Sequence, residues 1–263
     1  MENIEIRVET LDDASWPETN VTSVYLRELM TSETLAAGFH LLRVRGECEI
    51  GIQPGRNAYD ILLGLGGKAM FSSDKQERWQ GEGYFVVRPP YATPYTVYVS
   101  PTDYARLLVV RVRFEPEDVA EIAGSPAQHS FLFARRFEDC PHYSEDIKSP
   151  KTVNRMVLPE GLVPRVGMGT VQTEGPDEVL EHEHPMLDQF FVGLRDCDCT
   201  VHANGHEKRL REGMLLHVPL ASRHGVRVEQ GRELHYLWID LFVSLRAQSY
   251  LHEQHQIEGE ENK

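Results

Sequence analysis

The chain has 263 residues, of which 41% are hydrophobic, and its formal net charge is −14. This length has room for two domains of ordinary size, and the hydrophobic content is enough for a substantial core. The negative charge argues against binding to nucleic acid or to an anionic membrane surface. The N-terminal residues lack the apolar region of a secretion signal, and no apolar run is long enough to cross a bilayer. We therefore expect a soluble, cytoplasmic protein.

The cysteines are few for a chain of this length and form no Cys-x-x-Cys pair: Cys48, Cys140, Cys197 and Cys199. The Cys197-Asp198-Cys199 segment has the composition of a small metal or redox site. In a cytosolic protein, however, we expect reduced cysteines on a strand.

The first part of the chain is predicted to form an arm, residues 1–35. Apolar and polar residues alternate around Ile4, Ile6 and Val8, which predicts an opening strand. Over residues 19–29 the apolar residues recur every three or four positions, which predicts a short helix.

Strand-like patterns then run from His40 to about Phe114, which predicts a first β domain over residues 36–114. Residues 115–124 predict a short helix, with a proline early, acidic residues in the first turn and a glycine at the end. We interpret residues 115–155 as a helical and irregular linker. Strands resume near Met156 and predict a second β domain over residues 156–243. Residues 244–263 are expected to form a C-terminal helix and a disordered tail.

The most informative stretch begins with His182-Glu183-His184-Pro185 and ends at Gln189. In an extended segment His182 and His184 project from the same face, because side chains alternate with a period of two. Pro185 and Asp188 suit a tight turn into a second strand, whose first inward residue would be Gln189. Neutral imidazoles that converge from rigid strands are typical ligands of transition metals. The alternative is a pair of surface histidines on an exposed strand.

A second pattern follows, in which Gly213 is separated by five residues from Pro219, and Ala221 and His224 complete it. Together the two stretches resemble the paired motifs of the cupin superfamily. The usual first motif has Gly, five residues, His-x-His, then Glu and a later Gly, whereas here six residues separate Gly175 from His182. Gln189 takes the place of the Glu, and Asp196 and Ala221 take the places of two glycines.

The resemblance implies an all-β fold of two tandem cupin barrels, of the double-stranded β-helix or jelly-roll type, with a few short helices. It also implies one divalent transition metal per chain, which could be Zn, Mn, Fe or Ni. The implied ligands are His182, His184, Gln189 and His224. Cupins mostly pair through exposed sheets, so we expect a homodimer.

The first β domain looks like a copy of the second. Gly83 and Pro89 repeat the spacing of Gly213 and Pro219, and Asp60-Ile61-Leu62-Leu63-Gly64 mirrors Gln189-Phe190-Phe191-Val192-Gly193. The offset of about 130 residues suits tandem domains. Counting back from Asp60 places Gln53 and Gly55 where the two histidines stand, and a position near Pro94 where His224 stands. We therefore expect the first barrel to lack metal ligands.

Three functions remain open. Neutral ligands leave a divalent ion its full charge, which favours Lewis-acid chemistry on a small oxygen-rich substrate. Cupins with the same set of ligands include enzymes that act on unsaturated uronates, so the resemblance favours isomerisation, ring opening or lyase chemistry on a sugar acid or hydroxy-carbonyl. The alternatives are an Fe-, Cu- or Ni-dependent dioxygenase and a bicupin that binds a metal or sugar without catalysis.

Several residues are candidates for acid-base catalysis. His235 and Tyr236 are the first candidates, but as neighbours on a strand only one of them can face the barrel interior. Asp188, His217, Arg223 and Asp240 lie near the predicted ligands or on the same strand as Tyr236. His202 and His206 flank Asn204-Gly205, which predicts a hairpin with exposed histidines.

Overall fold

The computed structural model describes residues 6–11, 22–74, 76–252 and 256–257. Among these residues the regular secondary structure consists mostly of β-strands. The strands are, in chain order, β1 (Arg7–Thr10), β2 (Ser23–Leu29), β3 (Ala37–Arg45), β4 (Cys48–Ile52), β5 (Ala58–Ser73), β6 (Arg78–Arg88), β7 (Tyr95–Val99), β8 (Tyr104–Arg113), β9 (Phe133–Arg136), β10 (Tyr143–Ser144), β11 (Val153–Val163), β12 (Val166–Glu174), β13 (Asp177–Glu183), β14 (Leu187–Gly193), β15 (Asp198–Ala203), β16 (His206–Arg211), β17 (Met214–Val218), β18 (Arg223–Val228), β19 (Glu233–Phe242) and β20 (Gln256–Ile257).

Short helices complete the described structure. They are α1 (Pro116–Gly124) and α2 (Leu245–His252), and Phe137–Asp139 forms a 3₁₀ turn. At the start of α1 the backbone N–H of Glu115 donates to the Asp118 carboxylate at 2.7 Å, which satisfies one of the groups that a helix end leaves unpaired. The predicted helix over residues 115–124 is confirmed, as is the helix after residue 244. The tail from residue 258 lies outside the described residues. No described helix is long and apolar enough to span a membrane.

The chain divides into two compact units. The N-terminal unit comprises Ala14–Asp139 and Leu162–Pro164, and the C-terminal unit comprises Met1–Asp13, Cys140–Gly161 and Arg165–Lys263. The predicted arm is therefore divided, because β1 belongs to the C-terminal unit and β2 to the N-terminal one. The predicted linker is divided as well, at Cys140.

In the N-terminal unit the main sheet has the order β2-β3-β8-β5-β6-β9, and β7 pairs with both β4 and β5. Its core contains residues that alternate along these strands, such as Leu62, Phe85 and Val97. The helix predicted over residues 19–29 is wrong, because residues 23–29 form β2. This edge strand exposes Val24 and Leu26 to solvent and buries Leu29, so its apolar residues lie on both faces and imitate a helical spacing.

In the C-terminal unit a sheet of order β1-β17-β14-β19-β12-β11 accompanies a second sheet of order β13-β18-β15-β16. Side chains of both sheets, including Phe191, Val201, Leu216 and Trp238, form one buried cluster. This packing is typical of a jelly roll, in which alternate residues of two sheets fill the interior. Cys197 and Cys199 are buried in the same cluster, and neither forms a disulfide.

Candidate metal centre

Three imidazoles meet inside the C-terminal unit. His182, near the end of β13, is paired across the sheet with His224 at the start of β18, and His184 follows directly after β13. One ligand nitrogen from each ring lies within 4.8 Å of the other two. Two nitrogens bonded to one ion at about 2.1 Å are at most about 4.2 Å apart, so small ring rotations would complete a shared site. Among the described residues this is the only such group of three or more His, Cys, Asp or Glu side chains.

Backbone carbonyls set the orientation of two of these rings. Nδ1 of His182 donates to the carbonyl oxygen of Leu180 at 2.7 Å, and Nδ1 of His224 donates to that of Ser222 at 2.9 Å. A carbonyl can only accept, so the proton of each neutral ring is on Nδ1 and the lone pair is on Nε2. The Nε2 atom of His224 is buried and has no hydrogen-bond partner among the described residues. It is therefore available as a ligand.

Gln189 lines the same cavity and is positioned by a carboxylate. It lies on β14 opposite Asp240 of β19, and its Nε2 donates to Asp240 Oδ1 at 2.8 Å. Because this bond fixes the amide, the other end of the side chain is Oε1, which is buried and has no partner among the described residues. A buried acceptor without a donor is unfavourable unless something fills the site. Two such atoms beside two further imidazoles fit a bound cation.

Burial lowers the pKa of two of the histidines and so keeps them neutral. It lowers the pKa of His224 to about 3, and the neighbouring His182 adds to this effect. Burial also lowers the pKa of His182, although its bond to the Leu180 carbonyl and the charge of Glu145 oppose the change. Neutral imidazole is the form that binds a metal, so the site is ready for an ion at neutral pH.

The cavity around these residues has a volume of about 30 Å³. The inner space is thus enough for an ion with one or two small ligands. Its apolar wall includes Phe191, Val226 and Trp238. A wall of this kind excludes water and strengthens the electrostatic interactions inside the cavity.

Sequence reasoning missed two residues of this cavity, Glu145 and Lys148. Both come from the segment between Cys140 and Lys151, which we interpreted as irregular linker, and they form an ion pair with each other. The segment runs beside β13, because the backbone N–H of Leu180 donates to the carbonyl of Ile147 at 2.9 Å. Nothing periodic in the sequence marks this position, and only the residue types, a lysine three positions after a glutamate, hint at an ion pair.

The structure separates the two residues predicted for acid-base chemistry. Tyr236 lines the cavity and is 3% exposed. The His235 ring does not line it, since its Nδ1 donates to the carbonyl oxygen of Arg195 at 3.0 Å. Even-numbered residues of β19 therefore face the interior, and these include Trp238 and Asp240. Burial raises the pKa of Tyr236 well above its usual value, so its hydroxyl stays protonated.

The remaining candidates lie outside the cavity. His217 contacts Asp188, with Nε2 and Oδ1 3.3 Å apart, and its ring stacks on Phe190. Arg223 donates from Nε to Glu181 at 2.6 Å on the exposed side of the barrel. Asn204 and Gly205 form the predicted turn between β15 and β16, with His202 and His206 at the facing strand ends.

The two motif positions that lack glycine keep a glycine-like backbone. Ala221 has a φ of 58° and Asp196 a φ of 61°, both in the left-handed region that glycine favours. Gly213, which follows the motif, has a φ of 71°. The substitutions therefore change the side chains and leave the path of the chain intact.

The N-terminal unit has different residues at the equivalent positions. Tyr95 at the start of β7 is paired with Ile52 of β4, as His224 is paired with His182. Asp60 of β5 is paired with Arg111 of β8, as Gln189 is paired with Asp240. Counting along the sequence placed the equivalents one residue away, at Gln53 and Pro94, because the stretches Ile52–Asp60 and Gly83–Tyr95 are each one residue longer than His182–Gln189 and Gly213–His224.

No family model and no curated protein matches this sequence. Solved structures do match it. A cupin 2 conserved barrel domain protein from Leptotrichia buccalis is 12% identical, with a TM-score of 0.62 over 91% of this chain and 98% of that one. Protein Ylba from E. coli, of family DUF861, is 10% identical, with a TM-score of 0.66 over 90% of each chain. A mutant of oxalate decarboxylase from Bacillus subtilis is 13% identical, with a TM-score of 0.60 over 90% of this chain and 79% of that one.

At identities this low the similarity shows the fold alone. The fold is all-β, with tandem cupin barrels and a few short helices, as the sequence predicts.

Proposed function

We propose that this protein is a metal-dependent cupin enzyme that acts on a small, oxygen-rich substrate, such as a sugar acid or a hydroxy-carbonyl, by isomerisation, ring opening or lyase chemistry. One observation carries the proposal: two buried acceptors that lack a hydrogen-bond partner in the described part of the chain, His224 Nε2 and Gln189 Oε1, lie in one cavity with His182 and His184. The proposal places a single site in the C-terminal unit.

A divalent transition metal held by His182, His184, His224 and Gln189 would supply a Lewis acid that polarises a substrate oxygen. All four residues would bind it as neutral groups. They therefore leave its charge uncompensated, in contrast to a site that contains a glutamate ligand.

The chain itself contributes orientation and a proton donor. Asp240 accepts from the Gln189 amide and so keeps Oε1 directed away from itself, into the cavity. Tyr236 retains its proton at neutral pH because burial raises its pKa, so its hydroxyl donates a hydrogen bond to a substrate oxygen that gains negative charge. Phe191 and Trp238 exclude water from this contact.

The size of the cavity and one structural neighbour support a small substrate. The inner space admits one or two small groups beside an ion, which suits a hydroxy-carbonyl better than a sugar acid. The neighbour from Bacillus subtilis is named for its action on oxalate, a small oxygen-rich molecule.

The test is metal content by mass spectrometry on protein purified without an affinity tag. We expect about one transition metal per chain, as a buried site with four protein ligands retains its ion through purification. The variant His182→Ala/His184→Ala should lose the metal. His202→Ala/His206→Ala, which removes two histidines of the same barrel outside the cavity, should keep it. Zn, Mn or Ni would direct assays to isomerisation, and Fe or Cu to oxygenation.

A metal-free wild type that also fails to bind metal on reconstitution would overturn the proposal in favour of a binding role. Gln189 is tested separately. Gln189→Ala should weaken metal retention, and an unchanged affinity would remove this residue from the set of ligands.

A further inference from the structure

Lys148 is a lysine inside a barrel cavity, where lysine is rarely found. Its side chain is 6% exposed. It lines the same cavity as the three histidines, and an isolated bridge pairs its backbone with that of Val179 on β13, the strand of His182. The segment that carries Lys148 therefore lies beside the strand that carries His182.

The contacts of Lys148 use part of its hydrogen-bonding capacity. Its ammonium pairs with the Glu145 carboxylate and donates to the Tyr143 hydroxyl at 2.8 Å. The same hydroxyl accepts from Trp238 Nε1 at 2.8 Å, which fixes the tyrosine. An ammonium has three N–H groups, so one donor remains for a ligand in the cavity.

The charges along the cavity wall favour one particular ligand charge. The charged side chains that line it are those of Glu145, Lys148 and Asp240. With both acids ionised, these three carry a net charge of −1, and a divalent ion would change the total to +1. A buried site is most favourable when it is close to neutral, and one monoanion achieves that.

We propose that Lys148 is a specificity-determining residue, whose ammonium binds the carboxylate of a small monoanionic substrate beside the metal, and that Glu145 both positions this ammonium and limits the site to a single negative charge. This inference rests on the proposed function. It adds the substrate class, which is small monocarboxylates that carry a further oxygen group such as a hydroxyl. It also adds two residues that the motifs do not contain.

The experiment compares two probes of nearly equal size, glycolate and its neutral analogue glycolamide. Each is titrated into Co²⁺-loaded protein, and affinity is measured by calorimetry and by the visible absorption of the cobalt. The wild type should bind glycolate about 10-fold more tightly than glycolamide, because a hydrogen bond to a charged group usually contributes a free energy of about this size. Lys148→Met should abolish this preference while cobalt content and glycolamide affinity stay unchanged, and Lys148→Arg should restore part of it.

Lys151→Met is the matched control. This lysine lies three residues away, is half-exposed and contacts Asp177 and two backbone carbonyls outside the cavity. It should leave the preference for glycolate intact. If Lys148→Met merely lowers thermal stability and keeps the preference, the ion pair is structural and the inference is overturned.

Glu145→Gln provides an independent measurement if Lys148→Met does not fold. Removal of this negative charge should favour a dianion, so the affinity for oxalate relative to glycolate should rise about 10-fold. An unchanged ratio would overturn the inference. Failure of the wild type to bind cobalt would instead overturn the proposed function, so the two failures are distinguishable.

Discussion

The two units differ in the hydrogen bonds that a buried side chain makes at one pair of equivalent positions, Asp60 and Gln189. In the N-terminal unit Asp60 is saturated: Arg111 donates to it at 2.7 and 3.0 Å, and the Tyr95 hydroxyl donates at 2.9 Å. In the C-terminal unit Gln189 makes one bond, to Asp240, and its Oε1 is left without a partner among the described residues. A saturated network stabilises a barrel, whereas an unsaturated one leaves room for a ligand.

The same contrast extends to the position of His224. Its equivalent, Tyr95, uses its hydroxyl on Asp60, so that residue closes the network that His224 leaves open. The pKa of Tyr95 is raised well above its usual value, by burial and by the Asp60 charge, so it remains a donor. The equivalent clusters therefore differ in pairing: the N-terminal one is paired internally, and the C-terminal one leaves two acceptors without a partner among the described residues.

The largest effect is expected from a substitution that breaks the hydrogen-bond network of the N-terminal unit. Asp60→Asn removes the charge that Arg111 and the buried Tyr95 hydroxyl share, so the unit should lose about 2 to 3 kcal/mol of unfolding free energy. Hydrogen exchange in β5 and β8 would show it as faster opening, and Lys68→Ala, on the same strand, is the control. Unchanged exchange would mean that the network adds no stability.

The matching change in the C-terminal unit should act on metal affinity. Asp240→Asn lets the Gln189 amide turn its Nε2 toward the imidazoles, because asparagine can donate to Oε1. We expect metal affinity to fall about 10- to 100-fold, as is usual when the partner of a ligand is replaced. Competition with a chelator measures this. Wild-type affinity would show that Gln189 is oriented by something else.

A third prediction concerns acid sensitivity of the N-terminal unit. Burial, assisted by the charge of Arg88, lowers the pKa of His129 to about 4. Between the unfolded pKa near 6.5 and this value the unfolded chain binds more protons than the folded one, so stability falls as pH falls. At pH 5 the loss relative to pH 7 should be about 2 kcal/mol.

His129→Gln should remove that part of the pH dependence, measured by urea unfolding at pH 7 and pH 5 with hydrogen exchange to assign it to this unit. His40→Gln changes a partly exposed histidine of the same unit and serves as the control. An equal loss in wild type and His129→Gln would refute the assignment.

The smallest effects are expected at two positions whose backbone is in the left-handed region, Ala221 and Gly83. Ala221→Gly should stabilise the C-terminal unit by about 0.5 kcal/mol, because relief of the backbone strain slightly exceeds the added chain entropy. Gly83→Ala in the N-terminal unit has the same kind of backbone, with a φ of 72° and no atom near the added Cβ, and should destabilise by about 1 kcal/mol. Thermal unfolding of both variants tests the opposite signs.

Much of the fold follows from the sequence, because alternating apolar residues and motif spacing are local signals. Two parts do not. The helix predicted over residues 19–29 failed at β2, since an edge strand can leave Val24 and Leu26 exposed and so lose its alternation. Register also escaped prediction, because the stretch Gly83–Tyr95 is one residue longer than Gly213–His224, so the equivalent of His224 is Tyr95 and not Pro94.

The candidate site, like the fold, could be predicted from the sequence only in part. His182 and His184 follow from strand periodicity, and the placement of Gln189 and His224 in one cavity agrees with the motif resemblance. Glu145 and Lys148 could not be predicted, because their segment carries no periodic pattern and reaches the cavity only through tertiary contacts. The choice of Tyr236 over His235 needed the parity of β19, which the sequence leaves open.

The pairing of β1 affects how the chain can assemble. Arg7 is paired with His217, and Leu11 N–H donates to the carbonyl of Gly213, so a segment made early in synthesis completes a sheet whose other strands are made last. Ile6 and Leu11, both almost fully buried, remain without their final environment until then. A fragment that begins at Cys140 would leave β17 as a bare edge, open to pairing with other molecules. To produce the C-terminal unit as a separate protein, β1 therefore has to be joined to it by a circular permutation.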